Sequence, residues 1–390
     1  MPSKPHPFIP VNLPLLGGNE RRYLNECIDT GWISSEGSFV KRFEMEFSEL
    51  MGNRYGIAVS NGTDALELAI AALGIGPGDE VILPTFTIIS CAQAVINAGA
   101  TPVLVDSDPV TWNMQTDQVA AKITPRTKAI MPVHIYGLPV DMDPIINLAE
   151  KHGLYIVEDN AECIGQSYKG RPCGSFGHIS TYSFYANKHV TTGEGGMVTT
   201  NDIKLDEICR GLRNLCFENP RFVHHRLGWN MRISNLQAAV GLAQVEQLEH
   251  FIEKKKAMGS RYTSELKDIA GISLPPSATD FAENIYWVYG IVLEDEIPFD
   301  AKTAIAMLHE AGIGARPFFW PMHEQPVFRD MGLFSGESYP VAEKLARRGF
   351  YPPSGLGLTE IDQERVITAL KNILVSPGLG SCSHITGTTS

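Results

Sequence analysis

Short apolar segments alternate with helical patterns between about residues 55 and 200 of the chain. In residues 63–73, for example, the apolar positions recur at helical spacing, which predicts a helix packed along one face. Strands that alternate with helices are typical of a mostly parallel sheet covered on both faces. The predicted strands are residues 56–60, 81–83, 102–106, 129–134, 154–158, 181–185 and 197–200.

The pattern changes in the second half of the chain. Residues 235–256 predict one long helix, and residues 285–293 predict a strand in antiparallel pairing. Two further helices are indicated by their start signals, Asp300 for the first and Thr359 for the second. Helices mixed with antiparallel pairing indicate a separate, smaller α+β domain.

The two patterns together predict an α/β fold with two domains. The last residues are rich in glycine, serine and threonine, a composition typical of disorder. The predicted parts are a large domain over residues 1–250, a smaller C-terminal α+β domain over residues 251–375, and a disordered tail over residues 376–390.

Composition and charge exclude several classes of protein. The net charge is −12, so we expect no attraction to nucleic-acid phosphates. The apolar stretches are interrupted too often to span a membrane, and the first ten residues lack the apolar core of a signal peptide. The seven cysteines are scattered without C-x-x-C spacing. We therefore expect neither a disulfide framework nor a metal site, and a reducing cytoplasm.

Candidate chemistry follows three of the predicted strands, where parallel sheets bind ligands. The segment from Ser60 to Thr63 joins a strand to a helix, and N–H groups at a helix start bind phosphate. Asp159 closes a second strand. Lys188 follows a third in an apolar setting, where a lysine loses its proton readily and becomes a nucleophile. Each feature alone has an ordinary structural explanation: a capped turn, a loop acid or a solvated lysine.

The combination is more specific than its parts. A phosphate cup, an acid that keeps a pyridine nitrogen protonated and a nucleophilic lysine are what pyridoxal 5'-phosphate (PLP) chemistry requires. Five segments go further: SNGTDAL, PVHIYG, EDNAE, SFYANKHVTTGEGGM and NMRISNLQAAVG. They resemble the PLP-dependent nucleotide-sugar aminotransferases of the DegT/StrS type, over residues 9–374. The resemblance implies an aspartate-aminotransferase-like fold (PLP fold type I), with a mostly parallel mixed sheet in its large domain.

The resemblance also implies roles for single residues around the cofactor ring. Lys188 corresponds to the lysine that forms a Schiff base with PLP, and Asp159 to the acid that bonds the pyridine nitrogen. Glu162 matches a position that contacts the ring. The family usually has an aromatic residue stacked on the ring at position 88, where this chain has Ile88, which can pack there by dispersion.

Four residues match the positions that bind the cofactor phosphate in that family. Gly62, Thr63 and Ser183 match contacts made within one subunit. Asn230 matches a residue that reaches the phosphate from the other subunit. The resemblance therefore implies a homodimer with shared active sites.

The resemblance extends to the substrate side of the site. Trp32 and Ser34, together with Arg316, Phe319 and His323, match segments that line the sugar nucleotide. The implied reaction is ping-pong: glutamate donates its amino group and leaves as 2-oxoglutarate, and the ketone of a nucleotide-linked sugar then takes the amine. Several segments are most similar to family members that aminate C4 of GDP-4-keto-6-deoxymannose.

Several alternatives stay open. Relatives acting on dTDP- or UDP-linked 4-keto-6-deoxyglucose share most of these segments. Sugar dehydratases of the family have histidine in place of the Schiff-base lysine, whereas this chain has Lys188 with His189 beside it. A PLP-binding regulator would need a DNA-binding segment, and no basic helix-turn-helix pattern is present. A nicotinamide oxidoreductase would need a glycine loop after a strand, but residues 74–79 follow a helix.

Overall fold

The computed structural model describes residues 7–375, so the predicted tail over residues 376–390 lies outside the described residues. The helices are α1 (Glu20–Thr30), α2 (Ser38–Leu50), α3 (Gly62–Ala72), α4 (Ile89–Asn97), α5 (Thr116–Lys122), α6 (Met142–His152), α7 (Ile203–Arg213), α8 (Asn235–Val245), α9 (Leu248–Leu266), α10 (Ala301–Glu310), α11 (Pro326–Asp330), α12 (Pro340–Arg348) and α13 (Glu360–Val375). The strands are β1 (Tyr55–Val59), β2 (Glu80–Pro84), β3 (Thr101–Val105), β4 (Thr127–Ile130), β5 (Tyr155–Asp159), β6 (Ser167–Tyr168), β7 (Arg171–Pro172), β8 (Ile179–Ser183), β9 (Gly196–Thr200), β10 (Ile272–Ser273), β11 (Ile291–Leu293), β12 (Arg316–Pro317) and β13 (Gly349–Tyr351).

Seven strands form the central sheet in the order β1-β9-β8-β5-β4-β2-β3. The pairs from β8 through β5, β4 and β2 to β3 are parallel, whereas β9 runs antiparallel to both β1 and β8. All five residues of β2 and of β9 are buried, as expected of strands covered on both faces. The predicted α/β fold with a mostly parallel mixed sheet is confirmed.

A second sheet has the order β10-β11-β13-β12, and all its pairs are antiparallel. Its apolar core includes Tyr262 of α9, Leu308 of α10 and Phe350 of β13, together with Ile9 from the start of the described chain. Asp300 caps α10 by accepting a hydrogen bond from the Thr303 amide, as predicted. The division into domains at residue 250 stays a prediction.

The helix predicted over residues 235–256 is wrong, because two helices, α8 and α9, occupy this region. The chain leaves the helical conformation at Gln247, which has φ −109° and ψ 2°. The apolar side chains of α8, such as Leu242, pack with α1 and α2, whereas Tyr262 in α9 packs in the core of the second sheet. Because of this break, the apolar residues of one continuous sequence pattern pack in two different cores, one with α1 and α2 and one with the second sheet.

The strand predicted over residues 285–293 is also shorter than expected, since only β11 pairs as a strand within it. Tyr286 has φ 49°, in the left-handed region, and this interrupts the extended backbone. The residues before β11 instead bond to another loop: the Ile285 amide donates to Gly137, and the Trp287 amide to Tyr136. This places Trp287 beside the central sheet.

The described chain has no disulfide: its six cysteines are free and buried. Among residues 7–375, none of the helices combines the length and the apolar character needed to cross a bilayer.

Candidate active site

A pocket of about 810 Å³ opens where β1, β5 and β8 end. This is the edge at which parallel sheets bind ligands. The strands end close together there, so residues far apart in the chain share one wall. Its lining includes Asn61, Gly62, Thr63, Ile88, Ser90, Asp159, Glu162, Thr181, Ser183, Tyr185, Lys188, Trp287, Phe319 and Tyr351.

Lys188 lies at the base of this pocket, in the loop that joins β8 to β9. Its Nζ atom is 4.0 Å from Glu162 Oε1 and 3.7 Å from the centroid of the Trp287 ring, and its side chain is 10% exposed. Burial lowers the pKa of Lys188, and the carboxylates of Glu162 and Asp159 oppose that shift. An amine in this setting reaches its neutral, nucleophilic form more readily than a surface lysine.

Asp159 and Glu162 are both buried on the same side of the pocket. Asp159 accepts hydrogen bonds from the Ala161 amide at 2.9 Å and from the Cys91 thiol at 3.2 Å. Burial raises the pKa of Asp159 and of Glu162, and nearby Lys188 opposes the shift in both. A cation beside these carboxyls therefore favours their ionised forms.

The end of β5 is held in place by a second buried pair. His134 accepts from the Val140 amide at Nδ1, so its other nitrogen, Nε2, donates to Glu158 at 3.0 Å. Glu158 also accepts from the Gly177 amide at 2.9 Å. Asp159 is thus attached to a rigid, fully bonded support rather than to a free loop.

The start of α3 forms a cup of polar groups. Asn61 caps the helix by accepting from the Asp64 amide at 2.8 Å, and Thr63 Oγ1 lies 2.8 Å from Ser90 Oγ. A Cβ atom at Gly62 would lie 2.7 Å from Ser183 Cβ, which is closer than side chains pack. Glycine therefore allows the helix start and the end of β8 to approach each other, and a helix start attracts anions.

The structure brings the predicted cofactor residues together, with one exception. Lys188, Asp159, Glu162 and the phosphate residues of the cup line the pocket, and so does Ile88, which is 41% exposed. Asn230 is exposed and lies outside the lining of this pocket; it bridges to Asn214 instead.

The predicted substrate residues are placed less uniformly. Phe319 lines the pocket, and Arg316 is exposed on β12, opposite Tyr351 of β13. His323 is buried outside the lining, with Nδ1 bonded to Thr85 and Nε2 to Glu343, so both of its nitrogens are engaged within the protein.

Trp32 and Ser34 also lie away from Lys188. Ser34 belongs to a second, more polar pocket of about 830 Å³ that also contains Arg213 and Arg232. Trp32 is 57% exposed, and its carbonyl accepts from the Asn235 side chain. The loop that carries both residues is therefore fixed to the start of α8.

Sequence reasoning missed several residues of the pocket wall, among them Ser90, Tyr185, Trp287 and Tyr351. Ser90 lies just after Ile88 and could have been found by asking which residues start α4. Trp287 and Tyr351 come from segments remote in the chain, and no local pattern marks them.

Comparison with known proteins agrees with this site. The model of the DegT/DnrJ/EryC1/StrS aminotransferase family matches residues 14–371. The chain belongs to this family. The family is PLP-dependent, and one relative, EpsN from Bacillus subtilis, is named a putative pyridoxal phosphate-dependent aminotransferase.

Three relatives of this DegT/DnrJ/EryC1/StrS aminotransferase are GDP-perosamine synthases. The Caulobacter vibrioides protein is 43% identical and covers 95% of this chain and 99% of its own. The Vibrio cholerae protein is 39% identical over 94% of this chain and 99% of its own length. The Escherichia coli O157:H7 protein is 40% identical over 94% of this chain and 98% of its own length.

Solved structures agree with the fold. The aminotransferase TlmJ from Streptoalloteichus hindustanus superposes with a TM-score of 0.88 at 30% identity, covering 95% of this chain and 99% of that one. DesV from S. venezuelae, solved in complex with a ketimine intermediate, superposes with a TM-score of 0.84 at 34% identity. The match covers 91% of this chain and 94% of DesV.

Proposed function

We propose that this aminotransferase uses PLP to transfer an amino group from glutamate to C4 of GDP-4-keto-6-deoxymannose, giving GDP-perosamine. The observation that carries the proposal is the buried group of Lys188, Asp159 and Glu162 at the end of β5 and β8. The nucleotide and the sugar are proposed from the three GDP-perosamine synthases, which are 39–43% identical over nearly the whole chain.

The residues of the pocket fit PLP. The cup of α3 offers backbone N–H groups and the hydroxyls of Thr63, Ser90 and Ser183 to a phosphate. Thr181 Oγ1 also lines the pocket, is buried and has no hydrogen-bond partner in the described part of the protein, which an added polar group would supply. When bound, PLP supplies an aldehyde that combines with amines and a pyridine ring that accepts electrons.

The side chains around Lys188 divide the work of proton transfer. Lys188 Nζ takes and returns a proton, because its lowered pKa makes the neutral amine accessible. Asp159 would hold PLP at its ring nitrogen, where an ionised carboxylate favours the protonated form of that nitrogen. Glu162 stays 4.0 Å from Nζ and stabilises the protonated amine between the two halves of the reaction. The Lys188 side chain is 10% exposed, so the protein itself covers most of the amine's surroundings.

A homodimer in the cytoplasm completes the proposal. Asn230 is exposed and lies outside the pocket of its own chain, as a residue that serves the partner's site must. Mixing Lys188→Ala with Asn230→Ala protomers should restore activity, since each mixed dimer holds one intact site. A fully active monomer in sedimentation experiments would contradict shared sites. Trp32, Ser34 and Arg316 stay predicted substrate contacts.

The decisive experiment is a panel assay. Purified protein, PLP and glutamate would be offered GDP-4-keto-6-deoxymannose and, separately, dTDP- and UDP-linked 4-keto-6-deoxyglucose, with products identified by mass and NMR. The proposal expects a 4-amino product from the GDP sugar. Amination of only a dTDP or UDP sugar would overturn the substrate assignment. Amination of none would overturn the proposed sugar reaction as a whole.

A further inference from the structure

Trp287 makes the closest aromatic contact with Lys188. Trp287 is 4% exposed, and Lys188 Nζ lies 3.7 Å from the centroid of its ring. Nζ is also 4.0 Å from Glu162 Oε1. The amine therefore lies near both a carboxyl group and the electron-rich face of an aromatic ring, and an ionised carboxylate and an aromatic face both favour a cation.

Three hydrogen bonds fix the position of Trp287. Its ring nitrogen donates to the Asn187 carbonyl at 2.8 Å, and its amide donates to the Tyr136 carbonyl at 3.0 Å. Its carbonyl accepts from Lys255 Nζ at 2.7 Å. Both ends of the residue and its ring are thus anchored, which leaves the indole little freedom to turn away from Lys188.

Tyr136, whose carbonyl accepts from the Trp287 amide, also bonds to Glu162. Tyr136 has φ 56°, a conformation that non-glycine residues rarely adopt, and its amide donates to Glu162 Oε2 at 2.9 Å. A Cβ at Gly137 would lie 2.6 Å from the Trp287 nitrogen, so glycine is needed at this position for the two segments to come this close. Glu162, Tyr136, Trp287 and Lys188 form a closed ring of contacts.

Lys255 of α9 connects this ring to the segment that follows β13. It is 2% exposed, and besides the Trp287 carbonyl its Nζ bonds to the carbonyl of Ser354. A lysine at such a buried position costs stability through desolvation. Its placement at the Trp287 carbonyl gives it a specific task, which an apolar side chain of similar length could not perform.

We propose that Trp287 is a positioning residue for Lys188: the indole face of Trp287 holds the Lys188 amine near Glu162. Lys255 in turn fixes Trp287 by a hydrogen bond to the Trp287 carbonyl. The inference deepens the proposed function, and only the catalytic use of Lys188 rests on that function. The contact itself belongs to the protein without cofactor or substrate, so the two can fail separately.

A cation over an indole face is stabilised relative to the neutral amine, so removal of the ring should make Lys188 lose its proton at lower pH. A shift of about one pH unit is expected from the usual strength of a buried cation–π contact. The other titratable groups that face Lys188 stay unchanged in this comparison. They are Glu162, Asp159, Cys91, Cys163 and His189.

The test measures the titration of Lys188 in the cofactor-free protein. Trace acetic anhydride, which acylates neutral amines, would be applied over a range of pH. Peptide mass spectrometry would then compare Lys188 with the exposed Lys302. The variants are Trp287→Leu and, as a milder change that keeps a ring face, Trp287→Phe. Trp112→Leu is the matched control, because Trp112 is a buried tryptophan of the same core.

Trp287→Leu should lower the pH midpoint of Lys188 acylation by about one unit, Trp287→Phe by less, and Trp112→Leu not at all. An unchanged midpoint in folded Trp287→Leu would overturn the proposal, and so would equal shifts in Trp287→Leu and Trp112→Leu. If Trp287→Leu does not fold, Trp287→Phe decides alone: a lower midpoint supports the contact, and an unchanged or higher one refutes it. Failure of sugar amination would leave this result standing.

Discussion

Gly62→Ala tests whether the start of α3 is a phosphate cup. The added Cβ would lie 2.7 Å from Ser183 Cβ and 3.1 Å from Ser183 Oγ, and the third near atom is the Ser183 Cα, so the helix start and the end of β8 must move apart. Such overpacking costs about 1–3 kcal/mol of stability. It also displaces the Ser183 hydroxyl, and loss of one hydrogen bond to a charged phosphate weakens binding by about 10- to 150-fold.

The assay compares two ligands on the cofactor-free protein. PLP and pyridoxal, which lacks the phosphate, would be titrated against wild type, Gly62→Ala and Gly17→Ala. A Cβ atom added at Gly17 would meet open space, so this variant controls for the substitution itself. Gly62→Ala should weaken the binding of PLP but hardly affect the binding of pyridoxal. Gly17→Ala should leave the affinity for both ligands unchanged. Equal weakening of both ligands by Gly62→Ala would refute the phosphate cup.

Three further predictions concern titratable groups in the protein interior. Lys188→Ala should abolish transamination yet still bind PLP without a covalent bond, as shown by dialysis and absorbance; near-normal turnover would remove Lys188 from the mechanism. Asp159→Asn should lower kcat by about 10- to 150-fold, with a much smaller loss of PLP affinity, because a neutral amide cannot hold the ring nitrogen protonated; rates within a few-fold of wild type would make Asp159 structural. Burial lowers the pKa of Lys255 to about 7, so between that pH and about 10.4 the unfolded chain binds more protons. The free energy of unfolding of wild type, relative to that of Lys255→Met, should therefore rise with pH across this window by up to about 1.4 kcal/mol per pH unit. Denaturant titrations at several pH values would measure it. A difference in unfolding free energy that does not change with pH would contradict the burial of an uncharged amine.

The strands of the central sheet could be predicted because each is a short apolar run bounded by polar residues or glycine. Their ends in turn placed Asp159, Ser183 and Lys188 at one edge, since parallel strands share the direction of their carboxyl ends. A residue type with a strong local preference, Asp300, also predicted the start of α10 correctly.

The remaining features depend on contacts between distant segments. The segments that carry and hold Trp287 contain Tyr136 and Tyr286 in left-handed conformations, and neither residue type signals such a turn. The close approach of Gly62 to Ser183 follows from the order of strands in the sheet, which local patterns do not contain. His323 is similar: its partners, Thr85 and Glu343, come from two other elements.

The central claim is that Lys188 is the residue that binds PLP covalently, and peptide mapping tests it most directly. The protein would be saturated with PLP, reduced with borohydride, digested and analysed by mass spectrometry. Lys255 provides a sharp alternative, because it is also buried and burial lowers its pKa to about 7. We expect the pyridoxyl mass on the peptide that contains Lys188 and not on the one that contains Lys255. A pyridoxyl group on Lys255 or another lysine, with Lys188 unmodified, would contradict it.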